Sequence, residues 1–229
     1  MNLAIMQPYF FPYIGYFQLV KSVDLFILYD DVNYIKQGWI NRNRILVNGE
    51  VQYLTLQLLG ASSFKKINQV ETNFSVLKIE KTIEMAYLRA PFFDEIMPTI
   101  SEVLRFENKN LAEFVSNSVA RISSLLGIGT QFKVSSDLGI GENLKGQDRI
   151  LEICRQMKAR RYINPIGGVN LYSRDDFLQI GVDLAFINAG QIQYRQNIDT
   201  FYPNLSIVDV LMNCGQEKTS DLLGNYELK

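Results

Sequence analysis

Apolar positions along the chain follow two periods in turn. Short runs rich in apolar and β-branched residues, Leu3 to Met6, Asp24 to Tyr29, Thr130 to Ser135, Arg161 to Asn164 and Val182 to Ile187, have the length of buried strands. Between them, apolar residues three and four apart predict helices over Tyr13 to Ser22, Gln147 to Met157 and Ser173 to Gln179, with a further pair over Ser206 to Asn213 and Gln216 to Leu223. Strands separated by helices imply an α/β fold with a mostly parallel, Rossmann-like sheet covered on both faces.

Two stretches leave this alternation. Ile45 to Leu58 alternates about Asn48-Gly49, a dipeptide that supplies the positive φ of a type I′ turn, so a β-hairpin is inserted there. Gly60 to Asn73 is polar and irregular and reads as a loop. From about 75 to 127 the pattern is helical. Ser75 is a cap, Val76, Ile79, Ile83, Ala86 and Tyr87 share one face, and Pro91 ends that helix. Phe92 to Phe106 follows, bent or started at Pro98. Asn110 with Glu113 has the capping-box spacing, and the helix it opens closes at Gly127. The 229 residues are expected to form one α/β domain carrying this helical insertion.

Composition narrows the chemistry. A formal net charge of -1 supplies no basic excess for counterion release, which argues against nucleic acid as partner. The N-terminus lacks the charged region of a signal peptide, and no run reaches the ~18 apolar residues of a membrane span, so a cytoplasmic protein without membrane insertion is expected. Cys154 and Cys214 read as buried thiols. The chain has no histidine, which removes Ser-His-Asp triads, Cys-His pairs and imidazole zinc sites.

The first two strands end in residues no core requires, Gln7-Pro8-Tyr9 and Tyr29-Asp30-Asp31, and strand ends are where open α/β sheets hold ligands. Asp30 and Asp31 are candidate catalytic carboxylates, able to orient a hydroxyl, accept a proton or hold a divalent metal; otherwise they are a solvated turn or an ion pair with Lys36 or Arg42. Lys36, Arg42 and Arg44 could grip a phosphate or diphosphate, with Trp39 or Tyr34 stacking and Asn41 and Asn43 adding polar contacts. Asn164, Gly167 and Gly168 follow a strand, where glycine permits close backbone approach to a ligand or simply a tight turn. Ser206 and Asp209 read as a helix cap with its reciprocal acidic partner. Cys214 is a candidate thiol nucleophile without a histidine to activate it.

Tyr13-Ile-Gly-Tyr16, opening a helix after a strand, resembles the His-x-Gly-His phosphate site of nucleotidylyltransferases with both histidines replaced. Over a longer span, MQPYFFPYIGYFQL, VDLFILYDDVNYIKQGWINRNRI and LSIVDVLMNCG together resemble the WbqC-like protein family. That family is associated with O-antigen and other bacterial surface-polysaccharide gene clusters. The resemblance, combined with the residues, implies an enzyme acting on a nucleotide-linked amino sugar. It would transfer an acyl or aminoacyl group from a thioester, with an acyl carrier protein as donor, and use Gln7 and Tyr13 beside the residues above. A glycosyl or nucleotidyl transferase with Mg2+ on Asp30 and Asp31 is the alternative, and a non-catalytic nucleotide-sugar or glycan-assembly binding protein the second.

Overall fold

The computed structural model describes residues 1–73, 76–140, 143–196, 198 and 200–229; the cap expected at Ser75 lies outside them. In chain order the elements are β1 (Asn2–Met6), α1 (Ile14–Lys21), β2 (Leu25–Leu28), β3 (Arg42–Val47), β4 (Glu50–Thr55), β5 (Leu58–Leu59), β6 (Glu71–Thr72), α2 (Val76–Tyr87), α3 (Phe93–Leu104), α4 (Leu111–Leu125), β7 (Gln131–Val134), α5 (Gly146–Gln156), β8 (Arg161–Pro165), α6 (Arg174–Gln179), β9 (Asp183–Ala189), α7 (Ile207–Leu222) and β10 (Tyr226–Leu228).

The main sheet runs β10-β9-β8-β1-β2-β7, parallel throughout except for β10. By order of appearance its parallel strands lie third, second, first, fourth, fifth. The chain therefore builds outward from β1 through β2 to β7, then crosses back to continue on the other side of β1. This is the doubly wound arrangement, and its crossover falls between β1 and β8. Side chains alternate between the faces. Ala4, Phe26 and Leu28 join one core with Phe17 of α1, Phe114 of α4 and Leu211 of α7. Leu3, Ile5, Leu25 and Ile27 join the other with Ile150 and Ile153 of α5 and Phe177 of α6. Phe17, Phe26 and Phe177 are wholly buried, each worth roughly 1.5–3 kcal/mol of burial.

The hairpin turns where Asn48-Gly49 predicted, with φ of 51° and 82°. It starts earlier than its apolar alternation does, at Arg42, because Asn43 is buried by hydrogen bonding and so leaves no apolar signal. The segment from Gly60 to Asn73 is more ordered than a loop: it holds a 3-10 turn at Ile67–Gln69 and the strand β6, which pairs with β5. Helix α3 begins upstream of Pro98 and contains it as an interior residue. Asn110 caps α4 through the Glu113 amide at 3.2 Å, while the Glu113 carboxylate turns to Asn108 instead of closing the reciprocal half. Two helices were anticipated in the last stretch, and they meet at Gly215, φ 74°, where a Cβ would come within 2.6 Å of the Phe92 ring. Among the described residues no helix is long and apolar enough to cross a membrane.

Candidate ligand-binding cleft at the strand crossover

Doubly wound sheets take ligands beyond the carboxyl ends of their strands, where the strand order reverses. A cleft of about 430 Å³ opens there. Tyr9 and Tyr13 reach it from the segment after β1, Ile166 from the end of β8 and Asn188 from β9. Trp39 and Arg44 come from the hairpin region and Asn204 from the approach to α7. A second chamber of about 520 Å³ adjoins it and shares Tyr13, Ala189 and Asn204.

Three distant segments are tied together to make these walls. Asn43 donates through Nδ2 to the Phe10 and Phe11 carbonyls at 3.2 and 2.9 Å. The Ser206 hydroxyl donates to the Phe11 carbonyl at 2.8 Å, and the Ser206 amide to the Arg44 carbonyl at 2.8 Å. These bonds hold Phe11 at φ 39°, a left-handed conformation that costs a non-glycine residue about 1–3 kcal/mol and persists only when its surroundings over-determine it. Gly15 serves the same corner, because a Cβ on it would stand 2.3 Å from the Tyr13 ring. Burial raises the phenols of Tyr9 and Tyr13, Tyr9 also feeling Tyr13, so both remain O–H groups at neutral pH.

Arg42 and Arg44 lie two apart on β3 and therefore share a face, opposite Thr55 and Tyr53 of β4. Their tasks differ. Arg42 is turned toward the preceding loop, donating to the carbonyls of Gly38 (3.2 Å) and Gln37, with its guanidinium 4.3 Å from the Tyr53 ring centre. Arg44 faces the cleft, with its guanidinium 5.6 Å from the Trp39 ring centre and one bond to the Asn204 carbonyl at 3.2 Å. Its Nε is buried and has no acceptor. Trp39 is 39% exposed, so it is a half-open wall instead of a core anchor.

The expected carboxylates lie elsewhere, at the end of β2. Asp30 is buried and its acceptor capacity is filled: Oδ1 takes the Ser135 hydroxyl and the Ser136 amide, both at 3.0 Å, and Oδ2 takes the Ser136 hydroxyl at 2.7 Å and Asn68 Nδ2 at 3.2 Å. Asp31 accepts from Ser135 and pairs with Arg149 of α5, whose guanidinium also lies 5.1 Å from the Tyr29 ring centre. Neither lines the two chambers. The ion-pair partner anticipated for them was Lys36 or Arg42; the structure supplies Arg149, a residue the sequence reading passed over although it falls on the apolar face of α5 with Ile150, Ile153 and Cys154.

Of the other anticipated site residues, Tyr34 and Asn41 are buried on each other, the phenol donating to Asn41 Oδ1 at 2.8 Å while Asn41 Nδ2 donates to the Leu56 carbonyl at 2.9 Å. They brace the loop that presents Trp39. Lys36 is exposed and outside both chambers. Gln7 accepts the Tyr16 hydroxyl on its carbonyl at 3.0 Å. Asn164 takes the Tyr162 hydroxyl at 3.2 Å and fills the space above Gly168, where a Cβ would meet its amide nitrogen at 2.0 Å. Gly168 thus makes room for a side chain of the protein, and Gly167 has no atom within 4 Å of a built Cβ. Burial raises the Cys214 thiol, with Lys218 opposing, which disfavours a thiolate there. Among the described residues no three His, Cys, Asp or Glu side chains gather to hold a metal ion.

Asp209 is the residue the sequence most misrepresented. Ser206 caps α7 as expected, accepting the Val208 amide at 3.3 Å, but the Asp209 carboxylate turns inward. It is completely buried and accepts from the Tyr87 hydroxyl at 2.8 Å, the Tyr194 hydroxyl at 2.6 Å and Gln196 Nε2 at 3.1 Å, with no cation paired to it among the described residues. Burial pushes its carboxyl above the ordinary range while those three donors oppose the shift. A lone carboxylate amid Ile207, Val208, Val210, Leu211 and Met212 was the available signal.

Fold and site together define a doubly wound α/β protein with an arginine-bearing, aromatic-walled cleft at its crossover. The chain belongs to the WbqC-like protein family, whose model matches residues 7–221. It is 29% identical over 221 residues to a protein of Mycobacterium tuberculosis (strain ATCC 25618 / H37Rv) described as uncharacterized protein Rv1507c, with 94% of this chain and 95% of that one covered. No solved structure matches the chain significantly.

Proposed function

We propose that the protein binds a nucleotide-linked amino sugar in the crossover cleft and transfers an acyl or aminoacyl group to the sugar amine, in the cytoplasmic assembly of a surface polysaccharide. One observation carries the reading: among the described residues, Arg44 in the smaller chamber is the single charged side chain in the walls of the two chambers, and its buried Nε lacks an acceptor. A guanidinium with an unused donor in a concave, partly apolar site suits a phosphate or diphosphate. Trp39 beside it offers a face for a base or sugar.

The chemistry suits a protein without histidine. A thioester, delivered on a carrier protein or as a free acyl donor, is already activated. The neutral amine attacks its carbonyl, the thiolate leaves, and the amine proton passes to solvent. Positioning and a donor for the developing oxyanion supply most of the acceleration, and the un-ionised Tyr13 hydroxyl is suited to be that donor. Asp30 and Asp31 then act at a distance, fixing the end of β2 to the turn after β7 and to α5. A second reading, binding without turnover, draws support from the walls of the two chambers, which among the described residues hold no carboxylate, lysine or cysteine.

Arg44→Met should weaken binding of UDP, GDP or dTDP, whichever binds best, by roughly tenfold or more, the worth of ~1.4 kcal/mol of charge-assisted hydrogen bonding. Calorimetric titration checks it, with circular dichroism confirming the fold; unchanged affinity would remove Arg44 from the site. Transfer from an acyl thioester to an amino-sugar nucleotide, unaffected by chelator, is the matching test of catalysis, and binding without product would favour the second reading.

A further inference from the structure

We infer that the larger chamber, beside the Arg44 cleft, is a sugar subsite that recognises a neutral, hydroxyl-bearing ring through side-chain amides, with Gln18 and Gln193 as its polar contacts. This rests on the proposed function and assigns the two halves of the ligand to the two halves of the cleft.

Among the described residues the walls of this chamber carry no charge. Its polar side chains are the amides of Gln18, Gln191, Gln193 and Asn204 and the hydroxyls of Tyr13 and Tyr194. Burial raises both phenols, and the carboxylate of Asp209 raises Tyr194 further, so neither ionises at neutral pH. A phosphate placed here would meet no cation. A wholly apolar ligand would strip water from the amides without replacing its hydrogen bonds, which is unfavourable by more than the apolar contact returns. A ligand rich in O–H or N–H groups with apolar C–H faces satisfies both kinds of wall. The faces have partners: Tyr194 and Phe201 stand edge to face with centres 5.3 Å apart, and Tyr13 lines both chambers.

Gln18 adds a directional signal. It is fully buried on α1, and its Nε2 donates to the carbonyls of Leu222 and Asn225 at 3.3 and 2.7 Å, which fixes how the amide is turned. Its Oε1 is buried and has no partner. An unmet acceptor in a chamber wall calls for a donor, and a sugar hydroxyl or amine supplies one. The volume, about 520 Å³, falls in the range of small-molecule sites. The shared residues Tyr13 and Asn204 let one ligand span both halves, its diphosphate on Arg44 and its sugar here.

The test is a titration of UDP, GDP and dTDP, each against its glucose and N-acetylglucosamine conjugates, on wild type, Gln193→Ala and Gln18→Met. At least one conjugate should bind roughly tenfold tighter than its parent diphosphate, the worth of one to two hydrogen bonds. Gln193→Ala, an exposed position whose loss leaves the fold intact, should remove part of that gain while the diphosphate binds as before. Gln18→Met should do the same, with its thermal midpoint recorded because it also removes the donor to the Leu222 and Asn225 carbonyls. Equal affinity of every conjugate and its parent, or a gain untouched in Gln193→Ala and in folded Gln18→Met, overturns the sugar subsite while leaving the diphosphate reading standing. Failure of all the diphosphates and conjugates to bind overturns both together.

Discussion

Arg149→Met should destabilise the protein by about 3–5 kcal/mol in urea unfolding, because it leaves the Asp31 carboxylate buried against Ser135 without its cation. The two side chains are 6% and 11% exposed, so solvent cannot replace the lost partner. Asp31→Asn leaves the buried Arg149 guanidinium without its anion and should also destabilise, but by less, since the amide oxygen of the same shape still accepts from it. In the double variant the costs should fall well short of their sum, because the second change relieves the charge the first strands. Strict additivity would show that the pair is not coupled. The same series tests catalysis by Asp31: a transfer rate that falls in Asp31→Asn far beyond the loss of folded protein would assign the carboxylate to the reaction, whereas parallel losses leave it a brace for the strand end.

Asp209→Leu should be comparably damaging, about 3 kcal/mol, because three donors converge on that carboxylate and Tyr87, itself buried, would keep a hydroxyl with no acceptor. Asp209→Asn retains size and one acceptor and should lose less. The pair also carries a pH signature. Burial holds the Asp209 carboxyl above its ordinary 3.8, so the folded state takes up the proton more readily than the unfolded chain. Its stabilising contribution is fully present below that ordinary value and is lost as pH rises through the folded value. The stability of wild type relative to Asp209→Asn should therefore decline across that window. A difference that rises with pH would mean that the donors from Tyr194, Tyr87 and Gln196 outweigh desolvation. Gln196 also accepts the Tyr202 amide at 2.8 Å, so loss of the network should loosen the segment bearing Phe201 and Asn204 and weaken ligand binding in parallel.

Both predictions concern residues with a partner more than 100 positions away, Arg149 for Asp31 and Tyr87 for Asp209, although Tyr194 and Gln196 reach Asp209 from within 15 positions. The split between Arg42 and Arg44 combines a local contact with a distant one. They occupy equivalent places on one strand face, and only the path of the loop at Gln37 and Gly38 and the arrival of Asn204 turn one inward and leave the other at the cleft. Trp39, Tyr13 and Arg44 could be singled out from the sequence because stacking and cationic residues crowded after two strand ends. Gln18 could not, since a glutamine on an apolar helix face has no sequence signature that separates a buried amide from an exposed one.

By itself the sequence determined what depends on neighbours along the chain. Short apolar runs and period-3.6 spacing marked the parallel strands and most helices but not β5, β6 or β10, Asn48-Gly49 fixed the hairpin turn through its positive φ, and the absence of histidine bounded the chemistry. The order of the strands, and so the crossover between β1 and β8 where the cleft opens, was decided only in three dimensions. So was the burial of Asp30, Asp31 and Asp209. A carboxylate's fate rests on which donors fold onto it, and hydrogen bonds between distant segments, unlike apolar periodicity, leave no repeat in the chain to read.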